Sequence, residues 1–217
     1  SAVSALYRWA SEPTRSAASG VPRNPIPRRT GMSAPKLAKP LSESDLTSVL
    51  GLISAKKLKG SAIAARDYVM VRGSYLLGCR VSELCRLCWQ DIERLEEGGN
   101  IRLLGKGNKP RTIRVSSATL DLFESLGRGE PEGWLFPSDR RDGPLTRQAV
   151  AARMARWGRE AGVKLYPHRC RHTHATHAIR EGVDVFTLQA TLGHSSSGTT
   201  AHYVAANSDD SSSLRLG

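Results

Sequence analysis

Five prolines, Pro22, Pro25, Pro27, Pro35 and Pro40, fall close together in this 217-residue chain. Proline lacks the backbone N–H and fixes its own φ, so neither a continuous helix nor a central strand can run through residues 11–40. The same stretch is rich in Ser and Gly, and Arg23, Arg28, Arg29, Lys36 and Lys39 make it strongly basic. It reads as a linker, and it divides the chain. Before it, residues 1–10 carry Val3, Leu6 and Tyr7 at helical spacing with Trp9 beside them, the pattern of the end of an amphipathic helix. After it, residues 41–204 are long enough for one full domain. Residues 205–217 form a short, Ser-rich, mildly acidic tail whose only apolar anchors are Leu214 and Leu216.

Within residues 41–204 the punctuation predicts a mainly helical α+β domain. Ser42 is an expected N-cap, with Asp45 closing a capping box, and Leu46, Val49, Leu50 and Ile53 supply the apolar face. A longer helix is expected over 62–77, stopped by Gly78. Another helical segment starts over 82–87. Three short strands are expected over 91–95, 101–104 and 112–115, with Gly98-Gly99-Asn100 and Gly105 to Asn108 as turns, giving one small three-stranded antiparallel sheet. Further helices are expected over 118–125, 147–161, 169–180 and 185–192. Thr146 and Asp184 serve as N-caps, and Gly162, Gly182 and Gly193 as stops.

Thirty-two Lys and Arg against 20 Asp and Glu give a formal charge of +12 and a pI near 10.1. A polyanion is the natural partner, and charge alone fits DNA, RNA and anionic lipid equally well. No stretch approaches the ~20 apolar residues that span a bilayer. No signal-peptide pattern opens the chain, and its start at Ser1 rather than Met is that expected of a fragment or a processed chain. Cys79, Cys85, Cys88 and Cys170 do not form a disulfide framework in a chain this long. Cys85-x-x-Cys88 resembles half a zinc site, but no second pair follows, and the i, i+3 spacing suits packing on a helix. Reduced thiols in a cytoplasmic protein are the expectation.

Several residues stand in settings that suit phosphate chemistry. Arg80 lies in Leu77-Gly78-Cys79-Arg80-Val81-Ser82-Glu83-Leu84, directly after a helix stop, and Glu83 one turn on could hold it. Arg171 lies three residues after His168 in His168-Arg169-Cys170-Arg171-His172-Thr173, so one helical face could present both. Guanidinium is always charged and offers paired donors to phosphate oxygens, although an isolated Arg in so basic a chain is more simply a surface charge. Lys106 sits in Gly105-Lys106-Gly107-Asn108-Lys109, at the tip of a hairpin, and Lys109 suits a backbone phosphate. All six histidines fall between His168 and His202, which raises a metal cluster as a rival. No HExxH occurs, however, and no carboxylate lies among His168, His172, His174 and His177. His194 follows Leu192-Gly193. Tyr203 follows a small polar run, whereas Tyr68 and Tyr75 sit in a core-like helix and Tyr166 precedes Pro167.

Taken in order, these strings resemble the catalytic signature of the tyrosine recombinase (phage integrase) family over roughly residues 41–204. The resemblance implies the helical catalytic domain of that family. It also implies breakage and rejoining of DNA strands through a covalent 3′-phosphotyrosyl intermediate. Tyr203 would be the nucleophile, Arg80 and Arg171 would neutralise the phosphate, and Glu83 would support Arg80. Lys106 would protonate the leaving 5′ oxygen, His168 would accept or relay a proton, and His194 would hydrogen-bond a phosphate oxygen. No cofactor and no metal are expected. The expected partner is double-stranded DNA, engaged by a homotetramer on paired sites with a possible accessory DNA-bending or directionality protein, in the cytoplasm at the nucleoid. Residues 1–10 would end a truncated core-binding domain, and the linker cations with Lys109 would contact DNA. A type IB topoisomerase and a catalytically inactive DNA-binding module of the same fold are the rivals. Three departures stand out: Arg169 at a commonly acidic position, His174 at a commonly apolar or aromatic one, and the short tail.

Overall fold

A computed structural model describes residues 39–193, apart from the side chain of Lys106. The expected helix over 1–10, most of the linker, His194, Tyr203 and the tail lie outside the described residues, as do the side chains of Arg23, Arg28, Arg29 and Lys36.

The first helix, α1 (Glu43–Leu58), starts where Ser42 Oγ accepts from Asp45 N–H at 3.0 Å. Glu43 and Asp45 lie in its first turn and Lys56 and Lys57 in its last, matching the helix dipole at both ends. Helix α2 (Ala62–Leu77) is the spine. It buries Ala64, Val69, Met70, Val71 and Leu77 and packs against α1, against α4 (Ser117–Glu124) and against α6 (Pro167–Arg180). It ends at Gly78, whose φ of 55° lies in the left-handed region that side-chain-bearing residues disfavour. The chain then turns into the short α3 (Val81–Cys85).

Strands β1 (Ile92–Arg94), β2 (Gly99–Leu104) and β3 (Pro110–Val115) form an antiparallel sheet in that order. Pro110 is tolerated because β3 is an edge strand and Pro110 its first residue. Ile92, Ile101 and Ile113 stand opposite one another and are buried, which fixes the inward face. On β3 that face also carries Arg111, opposite the buried Leu103.

Helix α5 (Arg147–Glu160) is capped by Thr146 and brings Trp157 and Met154 into the core beside Phe123 and Phe136. Its Trp157 Nε1 donates to the fully buried Asp67 at 2.8 Å, and Arg153 pairs with the same carboxylate. Helix α6 begins at Pro167, two residues before the expected start, because proline at the first helical position loses nothing by lacking its N–H. Helix α7 (Val185–Leu192) begins at Asp184, which accepts from Phe186 and Thr187 N–H at 2.9 Å, and ends at the left-handed Gly193. Among the described residues no helix is long and apolar enough to cross a membrane.

Candidate active site

The left-handed turn at Gly78 delivers Arg80 to the N-cap of α3, and Glu83 stands at the third position of that helix. Glu83 is buried, and its Oε2 accepts the Arg80 backbone N–H at 2.7 Å while Oε1 accepts Arg80 Nη1 at 3.0 Å. Arg80 Nη2 donates to the Gly193 carbonyl at 3.1 Å, yet the side chain remains 37 % exposed. The arginine is thus oriented from two sides and still open to an external anion.

Arg171 comes from α6 and is buried. Its Nη1 donates to Gly78 O at 2.7 Å and its Nη2 to Leu192 O at 2.8 Å. A third arginine, which sequence reasoning missed, completes the cluster. Arg111 grips both oxygens of Glu83, at 2.7 and 2.8 Å, and donates Nε to Thr191 O at 2.8 Å. Three consecutive carbonyls at the end of α7, those of Thr191, Leu192 and Gly193, therefore each receive a different guanidinium. A helix C-terminus carries partial negative charge and unpaired carbonyls, so it can hold cations without a carboxylate. One sequence signal could have found Arg111: an arginine at an inward position of an alternating strand needs a buried partner.

Burial alone would push the Glu83 carboxyl up. Hydrogen bonds from Arg111, the Arg80 N–H and the Arg80 side chain, with the Arg111 charge, more than offset this and hold it below the usual carboxylate range. His172, buried on α6, and His174, packed beneath Gly78, are both held below the ordinary imidazole value, chiefly by burial. His177 Nδ1 lies 3.0 Å from the Tyr75 hydroxyl. Burial pushes the Cys79 and Cys170 thiols, neighbours of Arg80 and Arg171 in the chain, up to about 12.

The structure brings together Arg80, Glu83 and Arg171. His168 is exposed on the first turn of α6, three residues before Arg171. Lys106 opens a 3₁₀ turn between β2 and β3 in which Gly107 and Asn108 have φ of 72° and 59°, and Lys109 is exposed just after it. Lys39 is exposed, and its carbonyl and that of Pro40 accept from Arg169 at 2.9 and 3.2 Å. Arg169, at the position expected to be acidic, thereby ties the start of the domain to α6. Among the described residues no group of three or more His, Cys, Asp or Glu is placed to hold a metal ion.

A family model described as the phage integrase family matches residues 41–210. Over 180 residues the chain is 36 % identical to the tyrosine recombinase XerD of Pseudomonas putida, a match covering 78 % of this chain and 59 % of that protein. It is 34 % identical over 171 residues to the tyrosine recombinase XerA of Pyrococcus furiosus, covering 77 % and 57 %. The chain thus spans a little under three fifths of the length of these curated relatives. Among solved structures it is similar to the XerA recombinase, with a TM-score of 0.64 and 27 % identity over 82 % of this chain and 60 % of that one. It also shares the fold of the XerH site-specific recombinase bound to a palindromic difH substrate in a post-cleavage complex. There the TM-score is 0.71 and the identity 22 %, over 86 % of this chain and 56 % of that one.

Proposed function

Because this chain belongs to the phage integrase family, we propose that it cuts and rejoins double-stranded DNA as a site-specific tyrosine recombinase. The observation that carries the reading is the convergence of Arg80 and Arg171 on the neighbouring carbonyls of Gly193 and Leu192, immediately before His194 in the chain. Guanidinium offers five N–H groups. Arg80 engages two of its side-chain N–H groups, with Glu83 and Gly193, which leaves three for phosphate oxygens.

In this reading the Tyr203 phenol oxygen attacks the scissile phosphorus, the bond to the 5′ oxygen breaks and a 3′-phosphotyrosyl bond forms. A free phenol titrates near ~10, so it needs the surrounding cations and a proton acceptor, the role assigned to His168. Arg80 and Arg171, with His194 donating a hydrogen bond, face the extra negative charge of the pentacoordinate transition state, where fixed donors contribute most. Lys106, on the turn between β2 and β3, gives its proton to the departing 5′ oxygen. Attack by a different 5′ hydroxyl then reverses the step on a new strand. The phosphotyrosyl bond conserves the energy of the broken one, so the exchange needs no nucleotide, metal or other cofactor.

Exchange between two duplexes involves four strands, and four copies of the chain on paired sites would supply one Tyr203 for each. An accessory protein that bends the DNA or sets direction is compatible with this assembly. Arg23, Arg28, Arg29, Lys36, Lys39 and Lys109 would contact backbone phosphates, and the site of action would be the cytoplasmic nucleoid. The matched relatives are named recombinases, which favours strand exchange over topoisomerase-like relaxation.

A nicked suicide substrate, which loses a short fragment on cleavage and traps the adduct, tests the reading on a denaturing gel. The wild-type chain should form a DNA–protein adduct that survives excess EDTA, and Tyr203→Phe should bind DNA and form none. An adduct persisting in the variant refutes the assignment.

A further inference from the structure

We infer that Arg111 is a positioning residue for strand cleavage, taking up the charge of Glu83 so that Arg80 keeps its own charge and free donors for the phosphate. The inference rests on the recombinase reading and extends it to a residue outside the strings that led there.

Three observations support it. First, Glu83 is shared unequally. Arg111 meets it as a two-pronged fork at 2.7 and 2.8 Å, whereas the Arg80 side chain meets only Oε1, at 3.0 Å. Fork-to-fork pairing is the stronger arrangement, so the carboxylate belongs to Arg111 first. Second, Arg80 alone with a 1 % exposed carboxylate would form a closed, neutral pair. Adding Arg111 leaves the trio with one positive charge in excess, and Arg80 is the more exposed of its two cations, at 37 % against 13 %. Third, Arg111 joins three parts of the site. It stands on β3, the strand that leaves the Lys106 turn, it grips the turn that carries Arg80, and it holds Thr191 O at the end of α7. The approach is close: a Cβ added at Gly193 would meet Arg111 Nη1 at 3.0 Å.

These hydrogen bonds also separate Arg111 from the cations expected to touch DNA. Three of its nitrogens donate inside the protein, so its removal should affect the rate of cleavage and not the affinity for DNA. Lysine keeps the charge but cannot grip two oxygens and a carbonyl together.

The test uses the full chain with the suicide substrate in single turnover at saturating DNA, alongside the Kd for DNA and the melting temperature. R111K should stay folded at the assay temperature, bind DNA like the wild type and cleave about 10–100-fold more slowly, the scale of a displaced reacting group. In R111K/E83Q the carboxylate that lysine cannot grip at both oxygens is gone, so Arg80 is released from it. That double variant should cleave at least as fast as R111K, and much faster than the product of the two single defects. Wild-type cleavage by R111K overturns the inference. So does a double variant whose defects multiply, or an R111K whose whole loss is weakened DNA binding or folding. A wild-type chain that forms no adduct overturns the recombinase reading and this inference with it.

Discussion

Gly78→Ala is the sharpest single test of how the site is built, because two separate costs fall on one added methyl group. The backbone there has φ of 55° and ψ of 21°, and holding an L residue in that region costs about 1–2 kcal/mol. The new Cβ would also stand 2.5 Å from His174 Cδ2 and 2.9 Å from Cγ, well inside van der Waals distance. The ring is not free to yield, since it also stands edge-to-face with Tyr75 at a centroid distance of 6.4 Å and an angle of 75°. Overpacking of this kind costs about 1–3 kcal/mol. Together the two reach roughly 2–5 kcal/mol, which in a domain of this size lowers the melting temperature by on the order of 10 °C. Differential scanning calorimetry reads that shift. G78A/H174A removes the clash and keeps the backbone cost, so it should regain much of the stability lost in G78A. Below its melting point G78A should also cleave suicide substrate more slowly, because Gly78 O is where Arg171 Nη1 is anchored. A G78A protein melting within about 2 °C of the wild type, or one that H174A fails to rescue, refutes this account of the turn.

Acidification should weaken the fold before the carboxylates titrate. His172 and His174 sit below their ordinary value of 6.5 when folded, so as pH falls through 6.5 the unfolded chain takes up protons that the folded one refuses. The urea midpoint should therefore be lower at pH 5.5 than at pH 7.5, less so in His174→Gln, and equal midpoints would contradict the burial argument. Lys106→Ala should slow cleavage of an ordinary phosphodiester by ~10²–10⁴-fold. A 5′-bridging sulfur, which leaves as thiolate, should restore the variant's rate, and equal impairment on both substrates would move the general acid elsewhere. Deleting residues 1–38 should flatten the dependence of DNA affinity on salt by several units of slope, at ~0.9 for each phosphate no longer neutralised, and an unchanged slope would make the linker a passive tether.

What the sequence made legible here is what is local. Ser42, Thr146 and Asp184 start helices, and Gly78 and Gly193 stop them, because capping satisfies backbone groups within one turn. Arg80 and Glu83 could be paired from spacing for the same reason. Boundaries slipped where a residue has two uses. Pro167 opens α6 two residues before the expected start, Gly99, read as a turn residue, begins β2, and β3 begins at Pro110, two residues before its expected start. The helix expected over 82–87 closes at Cys85, because the Arg86 N–H turns back onto the Glu83 carbonyl. Pairings between distant segments left no local trace. Arg111 is 28 residues from Glu83 and 80 from Thr191, and Trp157 is 90 from Asp67. Only the pattern of β3, with an arginine in line with Ile113 and Val115, hinted that a partner waited inside.

The choice of partners at the arginine cluster is the one an anion site would require. Arg80 and Arg111 divide one carboxylate, Glu83, between them, and Arg171 is anchored beside them on two carbonyls, so among the described residues three guanidinium charges gather around a single acidic side chain. Had Asp or Glu oriented each arginine, the cluster would be rigid but neutral and would offer a phosphate little attraction. Carbonyls solve this, because a dipole fixes a guanidinium in place without cancelling its charge. Gly78 O supplies one such anchor, and the end of α7 supplies three in a row with the partial negative charge of the helix terminus behind them. The arrangement also couples the parts mechanically. A helix shift at α7 displaces the anchors of all three arginines at once, together with the point where the chain continues to His194. Charge at the site and the position of the end of α7 are therefore set by the same few hydrogen bonds.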